Sequence, residues 1–190
     1  MPILGAGAAL DPRPARVLVA GTSGSGKTTV AGRVAQALGA PHTEIDALFH
    51  GPGWTPRPSF EADVRALARQ PSWVTEWQYS AVRPLLAARA DLVVWLDVPW
   101  PVTMGQVTVR TLRRRLRREQ LWHGNVEPPL WTILTDREHI VRWAWTTRAA
   151  TASRVHDLLR QRPELPVVRL RSRRDVRRWL EGPLAAATRP

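Results

Sequence analysis

Gly21-Thr22-Ser23-Gly24-Ser25-Gly26-Lys27-Thr28 fits the pattern G-x-x-x-x-G-K-[ST] at every fixed position. Such a loop wraps phosphate oxygens with backbone N–H groups, and its lysine reaches the β- and γ-phosphates as a compact point charge. Its flanks have the required form. Arg16-Val17-Leu18-Val19-Ala20 reads as a buried strand ending at Gly21, and Val30, Val34 and Leu38 then recur at helical spacing up to a capping Gly39. Strand, glycine loop and helix place phosphates at a helix N-terminus, where unpaired N–H groups and the helix dipole favour an anion. The residues from Gly21 through Thr29 are therefore expected to hold a nucleoside triphosphate, with the Thr28 hydroxyl on Mg²⁺. Lys27 is the only lysine among 28 basic residues. A chain that otherwise uses arginine keeps lysine where a planar guanidinium would be too wide.

Working outward, strands and helices alternate. His42–Asp46 reads as a second strand, followed by the loop Gly51-Pro52-Gly53-Trp54-Thr55-Pro56-Arg57-Pro58 and a helix from Ser59 carrying Phe60, Val64 and Leu67 on one face. Ser72–Glu76 and the apolar run Asp91–Asp97 read as strands three and four. A basic helix follows Pro101, is interrupted over Leu121–Pro129, and resumes over Trp131–Gln161. Leu165–Leu170 is the fifth strand, and Ser172 with Asp175 caps a last helix. The alternation predicts an α/β fold with a parallel sheet covered by helices on both faces. Residues 15–185 are expected to form one domain, with 1–14 a flexible N-terminal tail and 186–190 a short C-terminal one.

Composition narrows the chemistry. With 190 residues, 44% of them hydrophobic, the chain can bury a core, and with no cysteine it has neither disulfides nor a thiolate metal site nor a cysteine nucleophile. No apolar run reaches the roughly 20 residues of a membrane span, and the short Ile3–Leu10 stretch lacks a basic flank, so a cytoplasmic protein is expected. A net charge of +12 favours anionic partners. The arginine clusters Arg110–Arg118 and Arg169–Arg178 read equally well as solvated helix faces. An Asn-Lys-x-Asp guanine-reading element cannot exist, because the one lysine is in the loop.

Further segments carry a resemblance: Asp46-Ala47-Leu48-Phe49 with Pro52-Gly53-Trp54, Trp73-Val74-Thr75-Glu76-Trp77-Gln78-Tyr79, Asp91–Pro99, Leu121-Trp122-His123-Gly124-Asn125-Val126-Glu127, and Trp143–Arg148. Over nearly its whole length the chain is similar to the adenylate-kinase-like group of small P-loop kinases, and within it resembles bacterial DNA topology modulation proteins. The resemblance implies a three-layer P-loop fold with five strands in the order 2-3-1-4-5 and an arginine-bearing helical lid over about residues 110–148. It implies ATP and Mg²⁺, with transfer of a phosphoryl group to a small-molecule or nucleotide acceptor.

Phosphoryl transfer needs positioning and charge neutralisation more than covalent chemistry. In similar kinases a carboxylate at the position of Asp46 faces the acceptor and orients it or takes its proton. Glu76 and Asp97 compete as the carboxylate on the Mg²⁺ side; the implied strand order favours Glu76, and the apolar strand ending at Asp97 favours the other. Trp77 stands where related chains have glycine. Trp54 reads as a stacking residue or as lid packing, and Arg83 as a holder of the acceptor's anion or as a solvated turn residue. Lys27, Asp46, Arg110 and Arg114 are the candidate catalytic set. Gln106 stands where the group commonly has another arginine. Arg142 and Arg148 are expected to complete the clamp from the returning helix, and Asn125 and Glu127 match a recurring motif of unassigned role. The competing reading is a nucleic-acid-directed protein, a polynucleotide kinase or a DNA-binding ATPase, suggested by the charge and by ten tryptophans. A monomer or homodimer is expected.

Overall fold

A computed structural model describes residues 3–117, 119–126 and 150–188. Five parallel strands, β1 (Arg16–Gly21), β2 (His42–Thr43), β3 (Trp73–Glu76), β4 (Leu92–Leu96) and β5 (Val167–Leu170), lie in the order β2-β3-β1-β4-β5. This is the expected order. The central strand alternates strictly, so Val17 and Val19 enter one core and Leu18 and Ala20 the other. The first core packs α1 (Lys27–Leu38) and α7 (Arg173–Trp179) through Val30, Val34, Leu38 and Trp179. The second packs α2 (Ile45–Phe49), α3 (Phe60–Arg69), α4 (Arg83–Arg89) and α6 (Ala150–Gln161) through Ile45, Val64, Leu86 and Val155. Between β4 and α6 lies α5 (Trp100–Leu116). The result is a three-layer α/β P-loop fold.

Tryptophan is largely core material here. Trp73, Trp95 and Trp179 are fully buried, and the indole N–H groups of Trp54, Trp77 and Trp122 are bonded within the protein. Among the described residues Trp100 is the one exposed tryptophan. No helix among the described residues is long and apolar enough to cross a membrane.

Four expectations need correction. The N-terminal residues are not a loose tail: Leu4 N–H donates to Val167 O at 2.8 Å, Arg169 N–H donates to Leu4 O at 2.9 Å, and Ile3 and Leu4 pack on opposite cores. An edge strand offers unpaired backbone groups, and two apolar residues of opposite facing suit that edge. The second strand stops at Thr43 and Asp46 lies in the first turn of α2. There the Ile45 N–H donates to the Glu76 carboxylate, out of the ladder. Finally, Arg83 opens a short helix that the sequence pattern hides behind Pro84. At the other terminus, a helical turn at Ala185–Ala187 continues the domain slightly past residue 185.

Candidate active site

The phosphate loop takes its shape from glycine. Gly24 and Gly26 have φ of 80° and 89°, a region closed to most side chains. At Gly24 a Cβ would also stand 2.3 Å from Thr103 O, so the loop rests directly on the first turns of α5. At Gly21 it would meet Ser25 Oγ at 2.4 Å and so close the cradle. Ser25 Oγ is buried without a hydrogen-bond partner, a polar atom suited to a phosphate oxygen. Thr28 and Thr29 are exposed in the first turn of α1. The loop thus fits a nucleotide phosphate on its own geometry.

Lys27 Nζ donates to Thr22 O at 3.1 Å. Burial pushes its ammonium down to about 8, against the pull of Asp46 and Glu76, and Arg110 lowers it further. The charges of three other residues singled out from sequence, Asp46 on α2, Glu76 on β3 and Arg110 on α5, thus all act on Lys27. No group of three or more His, Asp or Glu among the described residues could hold a metal unaided. Any Mg²⁺ here would share the nucleotide's phosphates, the usual arrangement for this ion.

The two competing carboxylates have different surroundings. Asp97 accepts two hydrogen bonds from Arg169, one of them at 2.8 Å from Nε, and is tied to β5. Glu76 is buried beside the lysine, and both its oxygens are engaged, Oε1 with His42 Nε2 at 3.2 Å and Oε2 with the Ile45 N–H at 3.0 Å. Burial alone would raise its pKa, but these bonds hold it below the usual carboxylate range. Glu76 therefore fastens α2 to β3 and aims Asp46. His42 is the partner that the sequence did not reveal.

Asp46 Oδ1 accepts from Tyr79 OH at 2.6 Å and from Gln78 Nε2 at 2.9 Å. Beyond it, two loops of the same backbone form meet. In each a turn is closed by one bond, Gly51 N–H to Thr55 O and Leu121 N–H to Asn125 O, both 2.7 Å. Each turn has two successive left-handed residues, Gly53 and Trp54 in one, His123 and Gly124 in the other. The Asn125 amide joins them, donating to Gly51 O at 2.8 Å and accepting from the Trp54 N–H at 3.2 Å. Trp54 Nε1 donates to Val126 O, and Trp122 Nε1 to Glu44. Asn125 thus has a physical role, and Trp54 packs against the lid turn and the His50 ring.

Arg83 O accepts from Trp77 Nε1, and the Arg83 guanidinium is half-buried, its pKa lowered by burial and by Arg154. Trp77 packs against the core, its N–H donating to Val19 O, which explains a bulky residue at that place. Arg114 lies 3.6 Å from Glu119, and the charge of Arg110 acts on Lys27. Arg118, Glu127, Arg142, Arg148 and the Trp143–Arg148 segment lie outside the described residues.

No protein-family model matches the chain, and no curated protein matches it. Among solved structures it is similar to a gluconokinase from Sinorhizobium meliloti 1021, at 20% identity over 93% of this chain and 92% of that one, with a TM-score of 0.52. Weaker likenesses are a sugar kinase from Janibacter sp. HTCC2649 (21% identity, 98% and 91% covered, TM-score 0.44) and a shikimate kinase from Bacteroides thetaiotaomicron (13%, 88% and 95%, 0.46). The gluconokinase likeness establishes the architecture: the chain has the three-layer P-loop fold found in that enzyme.

Proposed function

We propose that this chain is an ATP-dependent phosphotransferase that moves the γ-phosphoryl of ATP to a hydroxyl of a small-molecule or nucleotide acceptor. The observation that carries the reading is the glycine-built phosphate loop with its unpartnered Ser25 hydroxyl and Lys27, on which the charges of Asp46, Glu76 and Arg110 act. The loop amides and Lys27 would hold the β- and γ-phosphates. Mg²⁺ would neutralise developing charge on the phosphates, held by Thr28, with Glu76 reaching it through water because its two carboxylate oxygens already serve His42 on β2 and the Ile45 N–H on α2. Asp46 would orient the acceptor's hydroxyl and take its proton as the new P–O bond forms and ADP leaves. Arg110, with Arg114, Arg142 and Arg148, would neutralise the transferring group, and Arg83 would hold an anion on the acceptor. The finer relationship to DNA topology modulation proteins rests on the sequence motifs alone.

The test is to incubate the chain with Mg·ATP and a panel of hydroxyl compounds, sugar acids such as gluconate first, then sugars, shikimate, nucleosides and nucleoside monophosphates. Mass spectrometry should find one compound that gains a phosphoryl group. ATP turnover stimulated only by DNA or by its 5′ ends would replace this reading with the nucleic-acid-directed one.

A further inference from the structure

We propose that Gln78 and Tyr79 are positioning residues for Asp46, filling one carboxylate oxygen so that the other alone faces the acceptor's hydroxyl. The inference rests on the phosphotransferase reading and adds to it which oxygen works and what holds it. An ionised carboxylate oxygen has two lone-pair sites. Oδ1 receives two donors, the Tyr79 phenol at 2.6 Å and the Gln78 amide at 2.9 Å, while Oδ2 has no hydrogen bond among the described residues. A carboxylate free to rotate would present either oxygen; this one is held.

Tyr79 reaches that place only through unusual backbone. Its φ is 58°, in the left-handed region that a bulky residue avoids. Four contacts hold it there. The ring stacks on Phe49 at 4.1 Å and meets Phe60 edge-on at 5.2 Å, while its carbonyl accepts the Val82 and Arg83 N–H groups at the start of α4. An ordinary φ would carry the phenol away from α2. Such strain over a carboxylate is what a positioned group requires.

The network runs one residue further. His50 Nε2 lies 3.3 Å from the phenol oxygen. The phenol's single proton goes to the carboxylate, so His50 Nε2 carries the proton of their contact. The His50 ring in turn stacks on Trp122 of the lid turn at 6.0 Å. A path of contacts thus leads from the lid turn through His50 and Tyr79 to Asp46. Burial, and then the charges of Asp46 and Glu76 around the phenol, keep it protonated well above the ordinary tyrosine range, so it remains a donor.

A double-mutant cycle tests the proposal, with Tyr79→Phe and Asp46→Asn alone and together, read as kcat and KM for ATP turnover, with water or the identified hydroxyl compound as acceptor. Tyr79→Phe should lower kcat by about 10- to 100-fold, the range for losing a hydrogen bond to a charged group, with the KM for ATP nearly unchanged. In the Asp46→Asn background the same change should cost less than about twofold, because the two residues act as a unit. Gln78→Met, which leaves the phenol and fold in place, should show the same pattern at smaller size. Tyr79 is the only tyrosine, so Cζ-labelled tyrosine gives one NMR resonance. It should stay protonated to about pH 11 in the native chain and ionise at lower pH in Asp46→Asn. Equal cost of Tyr79→Phe in both backgrounds, no cost in the native one, or a phenol that titrates near the ordinary 10 would each overturn the positioning role. A native chain that never turns over ATP, with or without acceptor, would instead overturn the phosphotransferase reading beneath it.

Discussion

The proposed nucleotide site is one continuous stretch, Gly21 to Thr28, whereas the proposed acceptor site is assembled from His42–Asp46, His50–Thr55, Glu76–Tyr79 and Trp122–Val126. The first takes its form from backbone torsions that glycine permits at Gly24 and Gly26. The second takes its form from side-chain bonds between residues more than thirty, and in places more than seventy, positions apart. A local device places phosphates the same way whatever the rest of the chain does. A device assembled from distant residues can be retuned by any of its parts, which suits a site that must choose among hydroxyl compounds.

The contrast predicts that single changes at the nucleotide end are severe and those at the acceptor end graded. Lys27→Ala should lower turnover at least about a thousandfold with the fold retained by circular dichroism, and Lys27→Arg should fail to restore it. A near-native Lys27→Arg enzyme would remove the distinction between the two ends. Next in size, Gly24→Ala drives a methyl towards Thr103 O at a left-handed torsion and should cost about 3 kcal/mol in thermal unfolding, with weaker ATP binding. Asn125→Ala strands Gly51 O and the Trp54 N–H and should cost about 2 kcal/mol, raising the acceptor's KM with little effect on ATP affinity. An equal loss of ATP affinity would mean that the ends are not separable.

The smallest effect is one of pH. With the Lys27 ammonium at about 8 in the free chain, bound phosphates should raise it, so ATP binding takes up a proton above that pH. Affinity should fall about tenfold from pH 7 to 9, and calorimetry in buffers of different ionisation heat should detect the proton. A flat profile would show that the lysine is charged in both states.

What could be read from the chain follows the same division. The Gly21–Thr28 pattern, the apolar run before Asp97 and the Ser172–Asp175 cap are local signals, and strand order and both cores follow from them with the resemblance. Asp46 and Glu76 stand out in the sequence as candidate site carboxylates. Their actual partners, His42, Gln78 and Tyr79, do not, because no spacing rule links positions 46 and 79. The paired turns were hidden for a different reason: each places one non-glycine residue, Trp54 or His123, at a left-handed torsion and so lacks the usual turn signature.

The contact between Gly24 and Thr103 makes α5 a lever. Its fulcrum lies at the helix's first turn, under the phosphate loop, where no room exists for even a methyl group. From Thr103 to Leu116 the helix runs about 20 Å at 1.5 Å per residue, so a tilt of about 5° displaces its far end by nearly 2 Å. A nucleotide that tilted α5 at this contact would move the Arg113–Arg117 end several times as far as the loop, and each arginine's displacement would scale with its distance along the helix from Thr103.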